Sequence, residues 1–197
     1  MRPENKLAYF GNEPVFDVPR STSNLVQPNK DNFLNYLEAS YKSKIICSNG
    51  PLVSLFEQRF AELHGTKHCI AVCNGLWGLV LAIYCLKKEN CSEIIMPSLT
   101  YRRLADIAAW VKLTPFYCDV DRISLGLTKE TVAKNITKNT ALILAPHPIV
   151  NLCDINGLVE LANERGLPLL FDSVESYYAD HGGKKIGSFG DAECFSM

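Results

Sequence analysis

An aspartate placed directly after an apolar run is the residue of this chain with the clearest chemical meaning. Leu167-Pro168-Leu169-Leu170-Phe171 delivers Asp172, and Ser173, Val174 and Glu175 follow. A carboxylate at the tip of a buried strand is costly unless paired, and a ring-nitrogen cation is one such partner. Capping of the following turn is the other reading of the same residue. Cys73-Asn74-Gly75-Leu76-Trp77-Gly78 reads as a strand, a small-residue turn and a helix N-terminus, where free N–H groups and the helix dipole can hold a phosphate. A glycine turn without a ligand fits those residues equally well. Pro97-Ser98-Leu99-Thr100-Tyr101 sets an aromatic ring and two hydroxyls at another strand's end. Tyr101 is either a ring that stacks on a planar cofactor or an ordinary half-buried tyrosine. His147, alone in Ala145-Pro146-His147-Pro148, decides nothing by itself.

Other chemistries are disfavoured. His64, His68, Cys69 and Cys73 are the nearest approach to a zinc set, but a glycine and a strand-like run interrupt them. The eight cysteines are scattered singly, mostly inside apolar runs, as reduced buried thiols are. A balance of 20 basic against 21 acidic residues gives no broad footprint for nucleic acid or anionic lipid, so a polyanion has to be met locally. No stretch approaches the roughly 20 apolar residues of a membrane span, and MRPENK lacks the apolar core of a signal peptide, so a cytoplasmic protein is expected.

The elements that position these residues alternate. Residues 1–30, with Pro3, Pro14, Pro19 and Pro28, read as an extended arm. Helices follow at Asp31 to Tyr41, with Phe33, Leu34, Leu37 and Tyr41 on one face, and at Leu52 to His64, ended by Gly65. The spacing then predicts strands at 68–73, 93–96, 114–118, 140–145, 168–171 and 192–197. Helices are expected at 76–88, 102–111, 129–135 and 155–165, and a glycine-rich hairpin across 182–191. Strands apolar on both faces, separated by amphipathic helices, indicate an α/β domain with a mostly parallel sheet covered on both sides. Ligands of such sheets lie beyond the carboxyl ends of the strands, where the residues above fall. A dinucleotide fold is disfavoured, because only Gly75 and Gly78 are present where G-x-G-x-x-G is needed, and Glu93 precedes its strand.

From about Gly11 to Met197 the chain resembles the DegT/DnrJ/StrS sugar aminotransferases, pyridoxal-phosphate enzymes of the aspartate aminotransferase (type I) fold. The resemblance rests on the order and spacing of Ser48-Asn49-Gly50-Pro51-Leu52-Val53 with Phe56-Glu57, Pro97 to Tyr101, Cys153-Asp154-Ile155, Phe171 to Ser176 and Gly187 to Ser196. It implies that Asp172 pairs with the pyridine nitrogen of pyridoxal phosphate, that Tyr101 stacks on the ring and that Glu175 binds the ring hydroxyl. It further implies that the N–H groups of Gly75, Leu76 and Trp77, with the Ser196 hydroxyl, hold the phosphate. Relatives carry a small hydroxyl residue and an alanine where this chain has Leu76 and Trp77, which removes one phosphate hydrogen bond and sets a bulky indole in a tight turn.

The family's Schiff-base lysine lies a few residues beyond the serine matched by Ser196, and neither Lys184 nor Lys185 fits that position. The resemblance therefore implies the N-terminal part of a longer enzyme: a 1–30 arm and an incomplete cofactor-binding large domain over 31–197, without the small C-terminal domain and inactive as it stands. The parent is expected to move an amino group from an amino acid, commonly glutamate, to a nucleotide-linked keto-sugar, as a homodimer. Two alternatives remain: the family's dehydratase branch, in which histidine replaces the lysine, and an inactive relative serving as a binding module.

Overall fold

The computed structural model describes residues 8–14, 16–18, 27–149 and 151–197, so most of the expected arm lies outside the described residues. Two helices come first. α1 (Lys30–Ser43) starts at Asn29, whose side chain accepts from the Asn32 N–H at 3.0 Å. α2 (Pro51–His64) begins with a proline, which has no N–H to leave unsatisfied, and stops at Gly65 with φ +65°. The expected apolar face of α1 is not buried: Phe33, Leu34, Leu37 and Tyr41 are all exposed, and Ser40 is the buried residue of the helix. α1 leans on α2 through Tyr36 and Arg59, beside an apolar cleft lined also by Phe56, Phe60 and Tyr177.

The core begins at α3 (Gly75–Leu86) and continues through β1 (Glu93–Pro97), α4 (Arg103–Trp110), β2 (Thr114–Cys118), α5 (Lys129–Ala133), β3 (Thr140–Pro146), α6 (Ile155–Arg165) and β4 (Leu169–Asp172). A short hairpin, β5 (Asp180–His181) and β6 (Lys184–Lys185), precedes β7 (Ala192–Cys194). The sheet has five parallel strands in the order β2-β1-β3-β4-β7. Alternation along each strand sends side chains to two separate cores. Ile94, Met96, Leu142, Leu144 and Leu170 pack with Leu79 and Ile83 of α3 and Leu104 and Ile107 of α4. On the other face Ile95, Ile143, Leu169 and Phe171 pack with Leu158 and Leu161 of α6 and Val132 of α5. The parallel sheet with helices on both faces is as expected.

The segment 68–73 departs from expectation, because it forms no strand. An apolar extended run becomes a strand only where a neighbour supplies the hydrogen-bond ladder. Here the Ala71 N–H is taken by the Glu57 carboxylate at 2.8 Å, and Ile70 is 79% exposed. Nor are the thiols mostly buried: Cys118, Cys153 and Cys194 are, whereas Cys47, Cys73 and Cys85 are exposed. Cys73 ends the unpaired segment and Cys85 faces outward on α3, a helix apolar on nearly all sides whose residues Trp77, Leu81 and Tyr84 form an exposed stripe.

Asp154, in one of the quoted sequence segments, has a structural task. Its Oδ1 accepts the Gly157 N–H at 3.0 Å to cap α6, and its Oδ2 accepts the Lys129 N–H at 3.2 Å in the first turn of α5. Asp154→Ala removes both caps and is expected to cost about 1–2 kcal/mol, read as a lower urea midpoint, while Asp154→Asn keeps an acceptor for Gly157 and costs less.

Candidate functional site

β4 is buried at all four positions and ends at Asp172, which pairs in register with Pro146 of β3 and Cys194 of β7. Leu170 faces the core beneath α3, so alternation turns Asp172 toward the same face. Asp172 is 8% exposed, and among the described residues its carboxylate has a single hydrogen bond, from the Val174 N–H at a long 3.4 Å. Burial raises its pKa from the usual 3.8 to about 6; the Val174 N–H opposes the rise and the negative charge of Glu175 adds to it. The result is a desolvated acid with unused acceptor capacity, the condition that favours a charged N–H donor.

α3 starts beside it. The Asn74 side chain accepts the Trp77 N–H at 3.0 Å, and the Asn74 carbonyl accepts the Gly78 N–H at 3.0 Å. Trp77 is therefore already satisfied at its N–H, and the groups with no acceptor within the helix are those of Gly75 and Leu76. Gly75 sits on the end of β7: a Cβ there would lie 2.8 Å from the Ser196 Cβ and 3.3 Å from the Phe195 carbonyl. Ser196 and the turn, 121 positions apart in sequence, are thus in direct contact. Cys194 joins this turn to Asp172. Its thiol donates to the Gly75 carbonyl at 3.3 Å, and its pKa is pushed up to about 12 by burial and by the Asp172 charge. A Cβ at Gly78 would lie 2.9 Å from this sulfur, so glycine is what lets the helix settle onto the strand.

The structure thus brings Gly75, Ser196 and Asp172 together through Cys194. Glu175 stands close by on a 3₁₀ turn, Val174–Ser176, with its side chain in solvent. Leu76 is half-buried against the α3–α4 core. Trp77 does not fill the turn as expected. Its indole is 47% exposed and lies 6.1 Å from that of Trp110, because its position on α3 points it away from the sheet. Tyr101 is 58% exposed in the loop after β1, and no contact ties its ring to the Asp172 cluster among the described residues. Two strand spacings, roughly 10 Å, separate β1 from β4.

His147 proves structural. Its backbone N–H donates to the Asp172 carbonyl at 2.9 Å, its Nδ1 accepts from the Cys153 N–H at 3.2 Å, and its ring stacks on Phe171 at 5.1 Å. Burial, with a smaller contribution from His181, pushes its pKa down to about 4, so it is neutral. Sequence reasoning missed Asn74 as the cap, Cys194 as the link, and Ser173 with Glu193 behind the Asp172 turn, where the Ser173 hydroxyl donates to Glu193 Oε2 at 2.7 Å.

Known proteins share this fold and sequence pattern. The crystal structure of DesI with its TDP-sugar product matches 96% of this chain and 48% of its own, with a TM-score of 0.77 and 33% identity. GDP-perosamine synthase of Vibrio cholerae is 33% identical over 172 residues, 87% of this chain and 47% of the relative. L-glutamine:2-deoxy-scyllo-inosose aminotransferase of Streptomyces fradiae is 32% identical over 142 residues, 72% of this chain and 34% of its own length. The fold is that of the type I, aspartate-aminotransferase-like pyridoxal-phosphate enzymes. Residues 27–197 match the sequence model of the DegT/DnrJ/EryC1/StrS aminotransferases, and the chain belongs to that family. Membership implies pyridoxal phosphate, and the residues present fit it: an under-bonded buried carboxylate, two helix N-terminal N–H groups and a serine hydroxyl against a glycine that admits no Cβ. The chain spans about half the length of the GDP-perosamine synthases it matches.

Asp172 also sets a pH signature. An acid whose pKa is higher in the folded than in the unfolded state stabilises the fold below its unfolded pKa, and that contribution is lost as pH rises through the folded value. For Asp172 the window runs from 3.8 to about 6. Asp172→Asn, which cannot ionise, is expected to gain on the unsubstituted chain across this window, by up to about 3 kcal/mol above pH 6. Urea unfolding of both proteins at pH 4, 5, 6 and 7 reads the difference, and parallel curves would rule it out.

Proposed function

We propose that this chain carries the cofactor-binding half of a pyridoxal-phosphate aminotransferase that acts on a nucleotide-linked keto-sugar, with an amino acid as nitrogen donor. The observation that carries it is the seating of Gly75 on Ser196 beside a buried Asp172 carboxylate with one long hydrogen bond. When bound, pyridoxal phosphate supplies a protonated pyridine ring that accepts electron pairs. Asp172 would hold the proton at the ring nitrogen, its carboxylate kept ionised by that neighbouring cation. Gly75 and Leu76 donate N–H groups to the phosphate, aided by the N-terminal end of the α3 dipole, and the Ser196 hydroxyl adds a third donor. Glu175 engages the ring hydroxyl, and Tyr101 closes over the ring face from the loop after β1. Residues 31–197 form the cofactor-binding domain and 1–30 an arm, in a cytoplasmic homodimer.

The nucleotide-sugar substrate is supported by relatives named for GDP-perosamine synthesis and by DesI, seen with a TDP-sugar product. Transfer to an inosose by the Streptomyces fradiae relative supports keto-group amination.

Pyridoxamine 5′-phosphate is a suitable probe, because without an aldehyde it cannot react with surface lysines. The chain's two tryptophans, Trp77 and Trp110, stand together beside the turn and report its arrival by fluorescence. Saturable binding, competed by inorganic phosphate, is expected, and Asp172→Asn should weaken it about tenfold or more, as loss of a charge-assisted hydrogen bond does. Absence of saturable binding would overturn the proposal.

A further inference from the structure

Glu193 is the residue that the proposed chemistry leaves unused although the structure has built around it. It is the middle residue of β7, and alternation turns it away from Cys194, toward the α5–α6 face of the sheet. A carboxylate there is costly unless its acceptors are filled, and they are. Oε2 accepts the Ser173 hydroxyl at 2.7 Å and Oε1 accepts the Phe189 N–H at 2.8 Å. Burial raises its pKa, while the Ser173 hydroxyl, the Phe189 and Gly187 N–H groups and nearby His64 oppose the rise.

Ser173 is wholly buried and held at three further points: its N–H donates to the Cys194 carbonyl at 2.8 Å, and its carbonyl accepts the Ser176 N–H at 3.1 Å and the Ser176 hydroxyl at 3.3 Å. It directly follows Asp172 and caps the 3₁₀ turn that presents Glu175. Among the described residues the Asp172 side chain has only one long hydrogen bond to fix its direction. The aim of both acids therefore depends on where Ser173 is fastened.

We infer that Glu193 is a positioning residue for the Asp172–Glu175 pair, anchoring the Ser173 hydroxyl so that both carboxylates present themselves to one ring; this rests on the cofactor reading above. The action is geometric. Asp172 lies on the opposite face of the sheet from Glu193, and the charge that raises its pKa is that of Glu175. Glutamine can replace the acid without losing the anchor, because its carbonyl accepts from Phe189 and its amide donates to a rotated Ser173 hydroxyl.

Titrations with pyridoxamine 5′-phosphate on the whole chain, each paired with a thermal unfolding curve, test this. Glu193→Ala and Ser173→Ala are each expected to weaken binding about five- to tenfold, and the double variant no more than either single one, because they remove the same link. Glu193→Gln should bind within about twofold of the unsubstituted chain. Should Glu193→Ala fail to fold, Ser173→Ala, which deletes a single hydroxyl, reads the same link. Unchanged affinity in both alanine variants, even with lowered unfolding temperatures, assigns Glu193 a merely structural role and overturns the inference while leaving the cofactor reading intact. Weakening by Glu193→Gln as large as by Glu193→Ala also overturns it. No binding by the unsubstituted chain removes both readings together.

Discussion

The desolvated carboxylate at the end of β4 is the constraint around which the rest of the site is arranged. A four-residue strand buried on both faces carries Asp172 to the rim of the sheet, and the flanking strands spend their hydrogen bonds on its backbone, not on its side chain. The Asp172 carbonyl is taken by His147 and the next N–H by Cys194, while the carboxyl group keeps one long bond. A group so placed favours a proton or a cation over water. The sheet supplies position, and the surrounding shortage of donors supplies the chemical appetite.

Two of the flanking residues belong to elements far away in sequence, and the parallel register brings them in. Cys194 lies opposite Asp172 on β7 and touches the first carbonyl of α3, while Phe195 and Ser196 pass under Gly75. Gly75 and Gly78 are conditions of this approach, since a methyl group at either position would occupy space held by Ser196 or by the Cys194 sulfur. The phosphate end and the ring end of the proposed site are therefore set by β7 and the two residues that follow Cys194.

Much of this was legible in the sequence. The apolar runs at 93–96, 140–145 and 168–171 identify buried parallel strands, and Asp172 stands out because it follows one of them directly; the run at 114–118 is a strand too, but at the edge of the sheet it is largely exposed. What could not be read is what depends on pairing. The run at 68–73 has strand composition, yet composition cannot say whether a neighbour will supply a ladder. The face of α1 has helical periodicity, yet periodicity cannot say what will cover Phe33 and Leu37. Trp77 looks obstructive in a tight turn until the helix phase is known, and then it points outward. Cys194 and Glu193 became visible only with the register, because adjacent strand residues face opposite sides and each finds its partner on a different element.

α3 carries a consequence of another kind. Trp77, Leu81 and Tyr84 recur at a spacing that lines them along one side of the helix, all reaching solvent, while the whole chain bears a formal net charge of only -1. Oily stripes of this sort are tolerated in solution when like-charged molecules repel one another, and near-neutral chains lack that repulsion. A stripe of this kind on a near-neutral chain favours clustering as concentration rises, and it begins in the same helical turn that supplies Gly75 and Leu76 to the proposed site.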